Sequence, residues 1–286
     1  MFSPSNHKNM MQFQKMHGLG NDFIFLNNLD LLKYDLRTLA IQLCNRNTGV
    51  GADGIVLIIP SQKADIRMRI INSDGSEANM CGNAIRCFAK LVYEAGMIQK
   101  DSFTIETFAG TIIPELITEN GSVKAVRVNM GEPKFTRVDI PMLGKKSGRV
   151  INEPIKVGRK IFHLTSLLMG VPHTMVFVDD LDQTDIVAIG KQIEKSPIFP
   201  KGTNVNFVQV INDGEIKVRT WERGAGSTLA CGTGCCASAV ASALTGKTGK
   251  QVTVHLALGD LLIEWIDENV FMTGSATTIF SGEIEI

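Results

Sequence analysis

Two long apolar stretches dominate the hydrophobic pattern of this chain. One runs from about residue 83 to residue 95, and its charged side chains, Arg86, Lys90 and Glu94, recur four residues apart. The other runs from about residue 234 to residue 245 and contains no charge. Charges at this spacing share one stripe of a helix, so the first stretch predicts a helix that is buried over most of its circumference. A helix without any polar face must be enclosed by protein, and both stretches therefore predict central helices.

A polar loop of the same length precedes each stretch and ends in a cysteine. Asn72 lies nine residues before Cys81, and Glu222 lies nine residues before Cys231. Each cysteine stands where its helix should begin. A helix N-terminus presents unpaired backbone N–H groups and the positive end of the macrodipole, so a thiol placed there has a lowered pKa and is partly thiolate. The same groups favour a carboxylate ligand.

The similarity of the two loops extends along the chain as an internal repeat. Fifteen residues after each cysteine comes a glycine, Gly96 and Gly246, which is the usual residue just past a helix end. Residues 103–110 match residues 252–259 in pattern, and their offsets from the cysteine differ by only one residue. A repeat of this length predicts two similar halves, each built from short strands around one central helix.

The predicted halves are residues 11–130 and 131–275, with residues 276–286 crossing back to complete the first half. The polar segment 1–10 is predicted to be a loose extension. The expected fold class is α/β (α+β), with two pseudo-symmetric domains, each a mixed or antiparallel β-sheet wrapped around a central apolar helix. Such halves bring both helix N-termini, and with them the active site, to the cleft between the domains.

Shorter patterns organise the beginning of the chain. Residues 16–22 are typical of a turn, and residues 23–29 of a strand that leads away from it. Helical spacing covers residues 32–44, and strands are predicted at 55–59 and 66–71.

Composition narrows the possible functions. Acidic and basic residues number 29 each, so no basic field indicates nucleic acid or an anionic membrane. No apolar run approaches the length of a membrane span. The first nine residues lack the apolar core of a signal peptide, which predicts a cytoplasmic protein. Six cysteines in 286 residues are too few for a disulfide scaffold, so the thiols are expected to be reduced and available for chemistry.

Two thiols, one from each half, suit the inversion of a stereocentre. A thiolate on one side of an α-carbon removes its proton, and a thiol on the other side returns one, without metal or cofactor. General acid–base catalysis contributes only about 10²–10⁴-fold, so donors aimed at the developing enolate-like charge must supply much of the remaining acceleration. Backbone N–H groups at the two helix starts are the expected donors.

Several segments together resemble diaminopimelate epimerases. They are residues 17–22 (His-Gly-Leu-Gly-Asn-Asp), 72–77 (Asn-Ser-Asp-Gly-Ser-Glu), 80–87 (Met-Cys-Gly-Asn-Ala-Ile-Arg-Cys), 222–226 (Glu-Arg-Gly-Ala-Gly) and 230–234 (Ala-Cys-Gly-Thr-Gly). These motifs recur in order over about residues 11–286. The resemblance implies a cofactor-independent two-cysteine epimerase that interconverts LL- and meso-diaminopimelate in lysine and cell-wall biosynthesis. It also implies a cytoplasmic homodimer.

Carried over position by position, the resemblance implies that Cys81 and Cys231 are the acid–base pair. His173 and Glu222 match residues that support proton transfer. The positions that hold the reacting carboxylate, or lie beside it in the substrate site, are Asn21, Gly82, Asn83, Gly232 and Thr233. The positions that hold the substrate mainly at its distal amino acid end are Asn72, Asn204, Glu222 and Arg223. The planar fork of an arginine suits a second carboxylate.

The chain departs from the family pattern at Val171, where the family commonly has an asparagine that contacts the distal end of the substrate. A valine donates no hydrogen bond there. A related racemase that acts on another amino acid, histidine being one candidate, therefore remains an alternative. Two other classes stay open: a cysteine hydrolase or transferase that pairs one thiol with His173, and a non-catalytic binding protein that kept the fold.

The remaining cysteines are predicted to serve packing, and no metal site is expected. Cys87, Cys235 and Cys236 lie inside the predicted helices, and Cys44 belongs to a predicted core helix. Zinc binding by Cys231, Cys235 and Cys236 lacks both a paired Cys-x-x-Cys and a histidine set at ligand spacing. Two histidines have alternative structural roles: His173 beside Pro172 at a strand start, and His17 within a turn.

Overall fold

The structure, a computed structural model, describes residues 10–27, 29–144 and 148–285. The described residues form two compact units: one consists of the residues up to Val126 together with those from Ser275 onward, and the other is Arg127–Gly274. Of the predicted loose extension, residues 1–9 lie outside the described part of the chain, and Met10 begins the first strand. That the predicted halves 11–130 and 131–275 are folding domains in their own right stays a prediction.

The elements of the first unit follow one another in this order: β1 (Met10–Gly18), β2 (Asn21–Leu26), a 3₁₀ helix (Leu29–Lys33), α1 (Leu36–Cys44), β3 (Gly54–Ile59), β4 (Ile66–Asn72), β5 (Glu77–Ala78), α2 (Gly82–Glu94), β6 (Ile105–Thr107), β7 (Gly110–Ile112) and β8 (Glu115–Glu119). The chain enters the second unit within β9 (Ser122–Asn129).

The second unit continues with β10 (Val150–Val157), β11 (Lys160–Met169), β12 (Val171–Phe177), α3 (Ile186–Glu194), β13 (Asn204–Asn212), β14 (Glu215–Glu222), β15 (Gly226–Thr228), α4 (Gly232–Leu244), β16 (Gln251–Leu256), β17 (Gly259–Ile266) and β18 (Asn269–Gly274). The last strand, β19 (Thr277–Glu285), returns to the first unit and pairs antiparallel with β1.

The two sheets share one pairing rule, which confirms the predicted duplication of architecture. In the first unit the order is β19-β1-β2-β3-β4-β6-β7, with β5 paired to β4. In the second it begins β10-β11-β12-β13-β14-β16-β17-β18, with β15 paired to β14. Antiparallel and parallel neighbours alternate in the same sequence from β1 to β7 and from β11 to β17. The predicted mixed sheets are therefore present in both units.

The strands carry apolar residues on both faces, and helices pack against each side of the sheet. In β2, Ile24 and Leu26 pack into a core cluster with Leu39 and Leu43 of α1. Side chains alternate along a strand, so Phe23 and Phe25, which are also buried, occupy the opposite face. α2 contacts β1 and β2, and α4 contacts the strands from β11 to β18 other than β15. Both helices are thus central, as the apolar pattern predicts.

Both central helices end in the same way. Gly96 and Gly246 have positive φ angles of 70° and 68°, which suit glycine. The backbone N–H of Met97 donates to the carbonyl of Val92, and that of Lys247 donates to the carbonyl of Ser242. These bonds from the residue after each glycine define a Schellman motif and satisfy carbonyls that would otherwise lack partners. The predicted role of the two glycines is confirmed.

Three predicted bounds were wrong. Residues 32–44 do not form one helix, because Asp35 caps α1 by accepting hydrogen bonds from Arg37 N and Thr38 Oγ1. The strand predicted over residues 23–29 ends at Leu26. The turn predicted over residues 16–22 is a two-residue loop, since Gly18 already pairs with Asn21.

Candidate active site

Cys81 is the residue that begins α2. Its backbone is extended (φ −143°, ψ 120°), and its carbonyl accepts the first helical hydrogen bond, from Ile85 N at 2.9 Å. Its side chain makes no capping bond, so the first N–H groups of the helix are not satisfied by their own N-cap side chain. The half-buried sulfur lies 3.6 Å from Asn21 Oδ1. The structure thus places the thiol beside Asn21, at the positive end of a 13-residue helix.

A chain of polar side chains fixes Asn21. Asn83 Nδ2 donates to Asn21 Oδ1 at 3.0 Å, and Asn21 Nδ2 donates to Asp53 Oδ2 at 2.7 Å. Asn83 is in turn held by Arg86, whose guanidinium donates to Asn83 Oδ1 at 3.0 Å. The oxygen and the nitrogen of the Asn21 amide each have a hydrogen-bond partner, so the amide that lies beside Cys81 has a defined orientation.

Arg86 does not face solvent, although its spacing places it on the charged stripe of α2. Its side chain is fully buried and donates to the carbonyls of Gly82 and Ser275, each at 3.2 Å, besides Asn83. The rest of the stripe is the ion pair of Lys90 and Glu94, 2.7 Å apart. The buried guanidinium of Arg86 thus ties the first turn of α2 to the segment at Ser275.

Asn72 stands at the end of β4, on the loop that leads to Cys81. It is half-buried, and its amide donates to Ser76 Oγ at 3.0 Å, within a turn that Asp74 also braces. Nearby, Glu77 forms an ion pair with Arg69. Asp74 and Glu77 thus brace the loop that leads to Cys81.

Cys231 begins α4 in the same way, with an extended backbone (φ −123°, ψ 102°) and a carbonyl that accepts from Cys235 N at 2.9 Å. Its sulfur lies 3.6 Å from Thr233 Oγ1. Burial, and secondly the carboxylate of Glu222, raises the pKa of the Cys231 thiol well above its usual value, while hydrogen bonds from Thr233 and from the backbone of Gly234 act in the opposite direction. The lowered pKa predicted for a thiol at this helix N-terminus is therefore wrong for Cys231, because burial outweighs the effect of the helix start and keeps the thiol protonated at physiological pH.

His173 reaches the cysteine through Thr233. Its Nε2 lies 3.0 Å from Thr233 Oγ1, and its Nδ1 lies 3.1 Å from Asn206 Nδ2. The ring is fully buried, and this burial, followed by the nearby charge of Arg223, lowers the pKa of His173 to about 3. The imidazole is therefore neutral, with one nitrogen as donor and the other as acceptor.

Glu222 is the last residue of β14, and Arg223 follows it in the loop to β15. The carboxylate of Glu222 accepts from Thr228 Oγ1 at 2.6 Å. The backbone N–H of Arg223 donates to Asn204 Oδ1 at 2.9 Å, so the buried Asn204 holds the loop that presents this arginine. The exposed guanidinium donates to the carbonyl of Lys201 at 2.7 Å. The second unit thus brings together its predicted site residues.

The four other cysteines and His17 have structural roles. Burial raises the pKa of the Cys44 and Cys87 thiols to about 12. Cys235 and Cys236 are fully buried in α4, and none of the six cysteines, all of which are described, forms a disulfide. His17 Nδ1 accepts from Gly20 N at 3.1 Å and so braces the turn after β1. Residues 10–27, 29–144 and 148–285 hold no cluster of three histidine, cysteine or acidic side chains arranged for a metal.

Sequence reasoning missed Asn206, which contacts His173 and accepts from Thr220 Oγ1 at 3.0 Å. A signal was available, because Asn206 follows the predicted site residue Asn204 by two positions on one strand and so shares its face. The buried role of Arg86 was also missed, since spacing alone assigns it to the polar stripe.

Comparison with solved structures defines the class of fold. A hydroxyproline epimerase from Agrobacterium vitis matches with a TM-score of 0.71 over 99% of this chain and 94% of its own, at 17% identity. A phenazine biosynthesis protein of the PhzF family from Bacillus anthracis matches with a TM-score of 0.71 over 97% of this chain and all of its own, at 15% identity. The chain therefore has the two-unit fold that these proteins share.

Sequence comparison identifies the family. The family model described as diaminopimelate epimerase matches residues 13–136 and 165–279. The diaminopimelate epimerase of Pelotomaculum thermopropionicum is 53% identical over 96% of this chain and 98% of its own length, and that of Moorella thermoacetica is 50% identical over 96% and 100%. The chain belongs to the diaminopimelate epimerase family, and it is an isomerase.

Proposed function

We propose that this protein interconverts LL- and meso-diaminopimelate by two-base proton transfer at the α-carbon, with Cys81 and Cys231 as the acid–base pair and without a cofactor. Membership of the family supports the reaction. The observation that carries the proposal is the matched placement of the two thiols: each is the N-cap of a 13-residue central helix whose first N–H groups receive no bond from the cap side chain.

The helix starts supply what the weakly acidic α-carbon requires. N–H groups of Gly82 and Asn83 in one unit, and of Gly232 and Thr233 in the other, hold the carboxylate at the reacting centre. As the α-proton leaves, negative charge spreads onto that carboxylate, and fixed donors stabilise the charge without reorganising. Such donors act on the transition state more than on the substrate, which is the condition for catalysis.

The state of Cys231 supports one order of the two proton transfers. Its raised pKa favours Cys231 as the thiol that gives its proton to one face of the α-carbon, and we assign Cys81 the complementary role of the base that removes the α-proton from the other face. After this turnover Cys81 is a thiol and Cys231 a thiolate, which is the state that runs the reverse reaction. His173 and Glu222 act on this exchange from beside Cys231, His173 through Thr233.

The distal end of the substrate is assigned to Asn72, Asn204, Glu222 and Arg223. Arg223 presents a planar guanidinium on a loop that Asn204 holds in place, which suits the second carboxylate. Val171, at the start of β12, is exposed and two residues before the buried His173. Because it offers no hydrogen bond, a related amino acid without the distal group, histidine being one candidate, is the alternative substrate.

The decisive test is exchange of the α-hydrogen with solvent deuterium. Purified protein, without added pyridoxal phosphate or metal, is incubated in D₂O with a panel of L-amino acids that includes LL-diaminopimelate and histidine. We expect uptake of deuterium and inversion with LL-diaminopimelate, and loss of inversion in both Cys81→Ala and Cys231→Ala. Cys236→Ala changes a buried cysteine of α4, the helix that follows Cys231. It is the matched control and should retain activity. Full turnover by either cysteine variant would refute the two-base mechanism.

We further propose a cytoplasmic homodimer. The family resemblance supports both assignments. No helix among the described residues is long and apolar enough to cross a membrane. Sedimentation of the purified protein at a series of concentrations tests the oligomeric state, and a single species of 31.2 kDa would contradict a dimer.

A further inference from the structure

Four buried or half-buried polar groups of the second unit form one continuous line of hydrogen bonds that ends at the sulfur of Cys231. Thr220 Oγ1 donates to Asn206 Oδ1 at 3.0 Å, and Asn206 Nδ2 lies 3.1 Å from His173 Nδ1. His173 Nε2 lies 3.0 Å from Thr233 Oγ1, which lies 3.6 Å from Cys231 Sγ. Thr220, Asn206 and His173 are all buried.

The direction of this line follows from the chemistry of its members. An amide NH₂ is only a donor, so the ring nitrogen that faces Asn206 Nδ2 must be the acceptor. The proton of the neutral imidazole then resides on Nε2, which donates to Thr233 Oγ1. The hydrogen of the Thr233 hydroxyl is then not used by His173 and can be donated to the sulfur of Cys231.

Two further contacts hold the Asn206 amide in this orientation. Its Nδ2 also lies 3.7 Å from Met175 Sδ, a weak acceptor, and its Oδ1 receives the Thr220 hydroxyl. With the amide turned over, the oxygen would face the methionine sulfur, and His173 would have to carry its proton on Nδ1. Thr233 would then donate to His173 instead of to the cysteine.

We propose that Asn206 is a positioning residue that sets the tautomer of His173, and that His173 thereby aims the Thr233 hydroxyl at Cys231 and stabilises its thiolate. His173 is then a donor in the line and not a base, because its one lone pair is occupied by Asn206. The inference rests on the proposed role of Cys231 as an acid–base residue, but the hydrogen-bond line itself makes predictions that need no substrate.

The first test measures the tautomer directly. In protein labelled with ¹⁵N at histidine, a long-range ¹H–¹⁵N spectrum distinguishes a protonated Nε2 from a protonated Nδ1, and the spectrum of His173→Asn assigns the His173 signals. We expect Nε2–H in the native protein and a change to Nδ1–H in Asn206→Asp, whose carboxylate accepts instead of donating. Nδ1–H in the native protein would overturn the proposal, whatever the activity. Asn212→Asp, an exposed change on the same strand, should leave the spectrum as it was.

The second test measures the thiolate of Cys231 without substrate. The rate of alkylation at Cys231 by iodoacetamide, resolved by mass spectrometry, is followed against pH. Loss of one hydrogen bond to a charged acceptor should reduce the thiolate population at a given pH about 10- to 100-fold in Asn206→Asp. Thr233→Val should give the same reduction, and the double variant no further one, because both changes remove the same donor. Additive effects, or an unchanged profile in Asn206→Asp, would overturn the proposal.

These outcomes separate the two hypotheses. If the tautomer and the thiolate respond as expected but no amino acid exchanges its α-hydrogen, the positioning role stands and the proposed reaction fails. If the reaction occurs with both cysteines required but the tautomer does not change, the reaction stands and the positioning role fails. Should Asn206→Asp not fold, the native tautomer and the Thr233→Val profile still decide the matter.

Discussion

Asn206 Oδ1 and Gly234 are in such close approach that a β-carbon at residue 234 would lie 2.4 Å from the amide oxygen. The same β-carbon would lie 3.2 Å from the sulfur of Cys231. The first turn of α4 can therefore sit against the Asn206 amide only because position 234 has no side chain. Packing in the second unit and the placement of its thiol thus depend on the same glycine.

The change Gly234→Ala should destabilise the protein by about 1–3 kcal/mol, since the added methyl forces either the helix or Asn206 to move. Epimerisation should fall as well, because Asn206 and Cys231 are the groups displaced. Urea unfolding and the rate of deuterium uptake measure the two effects. Gly214→Ala, where the nearest atom would be an ordinary 3.7 Å away, is the control. Equal stability of both variants would contradict the close approach.

The buried His173 predicts loss of stability in acid. Its pKa of about 3 in the folded state lies below the unfolded value of about 6.5, so the unfolded chain binds the proton first as the pH falls. Stability should decrease as pH falls from about 6.5 towards 3, by about 2 kcal/mol at pH 5 relative to pH 7. Chemical unfolding at a series of pH values tests this.

In His173→Asn this contribution to the pH dependence should disappear, even if the variant is less stable at pH 7. His163→Asn, an exposed histidine of β11, should keep the native pH dependence. An equally steep acid loss in His173→Asn would assign the effect to another group.

The carboxylate of Glu222 raises the pKa of Cys231, so its removal should make this thiol more acidic. In Glu222→Gln the pH profile of Cys231 alkylation should shift to lower pH, while kcat falls if Glu222 supports proton transfer. Glu268→Gln, an exposed change elsewhere in the second unit, should leave the profile in place. A shift to higher pH would show that Glu222 stabilises the thiolate instead.

At position 171 the substitution Val171→Asn restores the residue common in the family. Val171 is exposed, so the change should have little effect on stability. If the substrate is diaminopimelate, a new hydrogen bond to its distal end should lower KM about two- to tenfold with kcat nearly unchanged. A rise in KM for diaminopimelate, together with lost activity on a different amino acid, would favour the alternative substrate.

The buried Arg86 allows a test in the first unit. Arg86→Lys keeps the charge but loses the planar fork that serves Asn83 and two carbonyls, and should cost about 1–3 kcal/mol in unfolding free energy. Arg159→Lys, at an exposed position, should cost little. An unchanged stability of Arg86→Lys would mean that a single ammonium group suffices at this site.

Local signals predicted the central helices and their ends. Cys81 and Cys231 precede apolar stretches of helical length, and Gly96 and Gly246 provide the left-handed residue with which such helices end. The break before α1 was missed because Asp35 acts through its side-chain bonds to nearby backbone and hydroxyl groups, which hydrophobic spacing does not register.

Contacts between residues that are distant in the chain could not be predicted from the sequence. His173 meets Asn206 because β12 and β13 pair in parallel with His173 opposite Asn204, and no local pattern sets that register. Arg86 is buried because β1, α2 and the segment at Ser275 converge on it, although its spacing on the helix is that of a surface charge. In both cases the three-dimensional neighbours decide the role of the residue.

The pairing of β19 with β1 has a consequence for synthesis on the ribosome. Glu285 lies opposite Met10, so the edge of β1 stays without its partner until residues 277–285 have emerged. The second unit, whose strands are contiguous in the chain, has all its residues available earlier. A nascent chain interrupted before residue 277 would expose an unpaired strand edge, which is a template for aggregation.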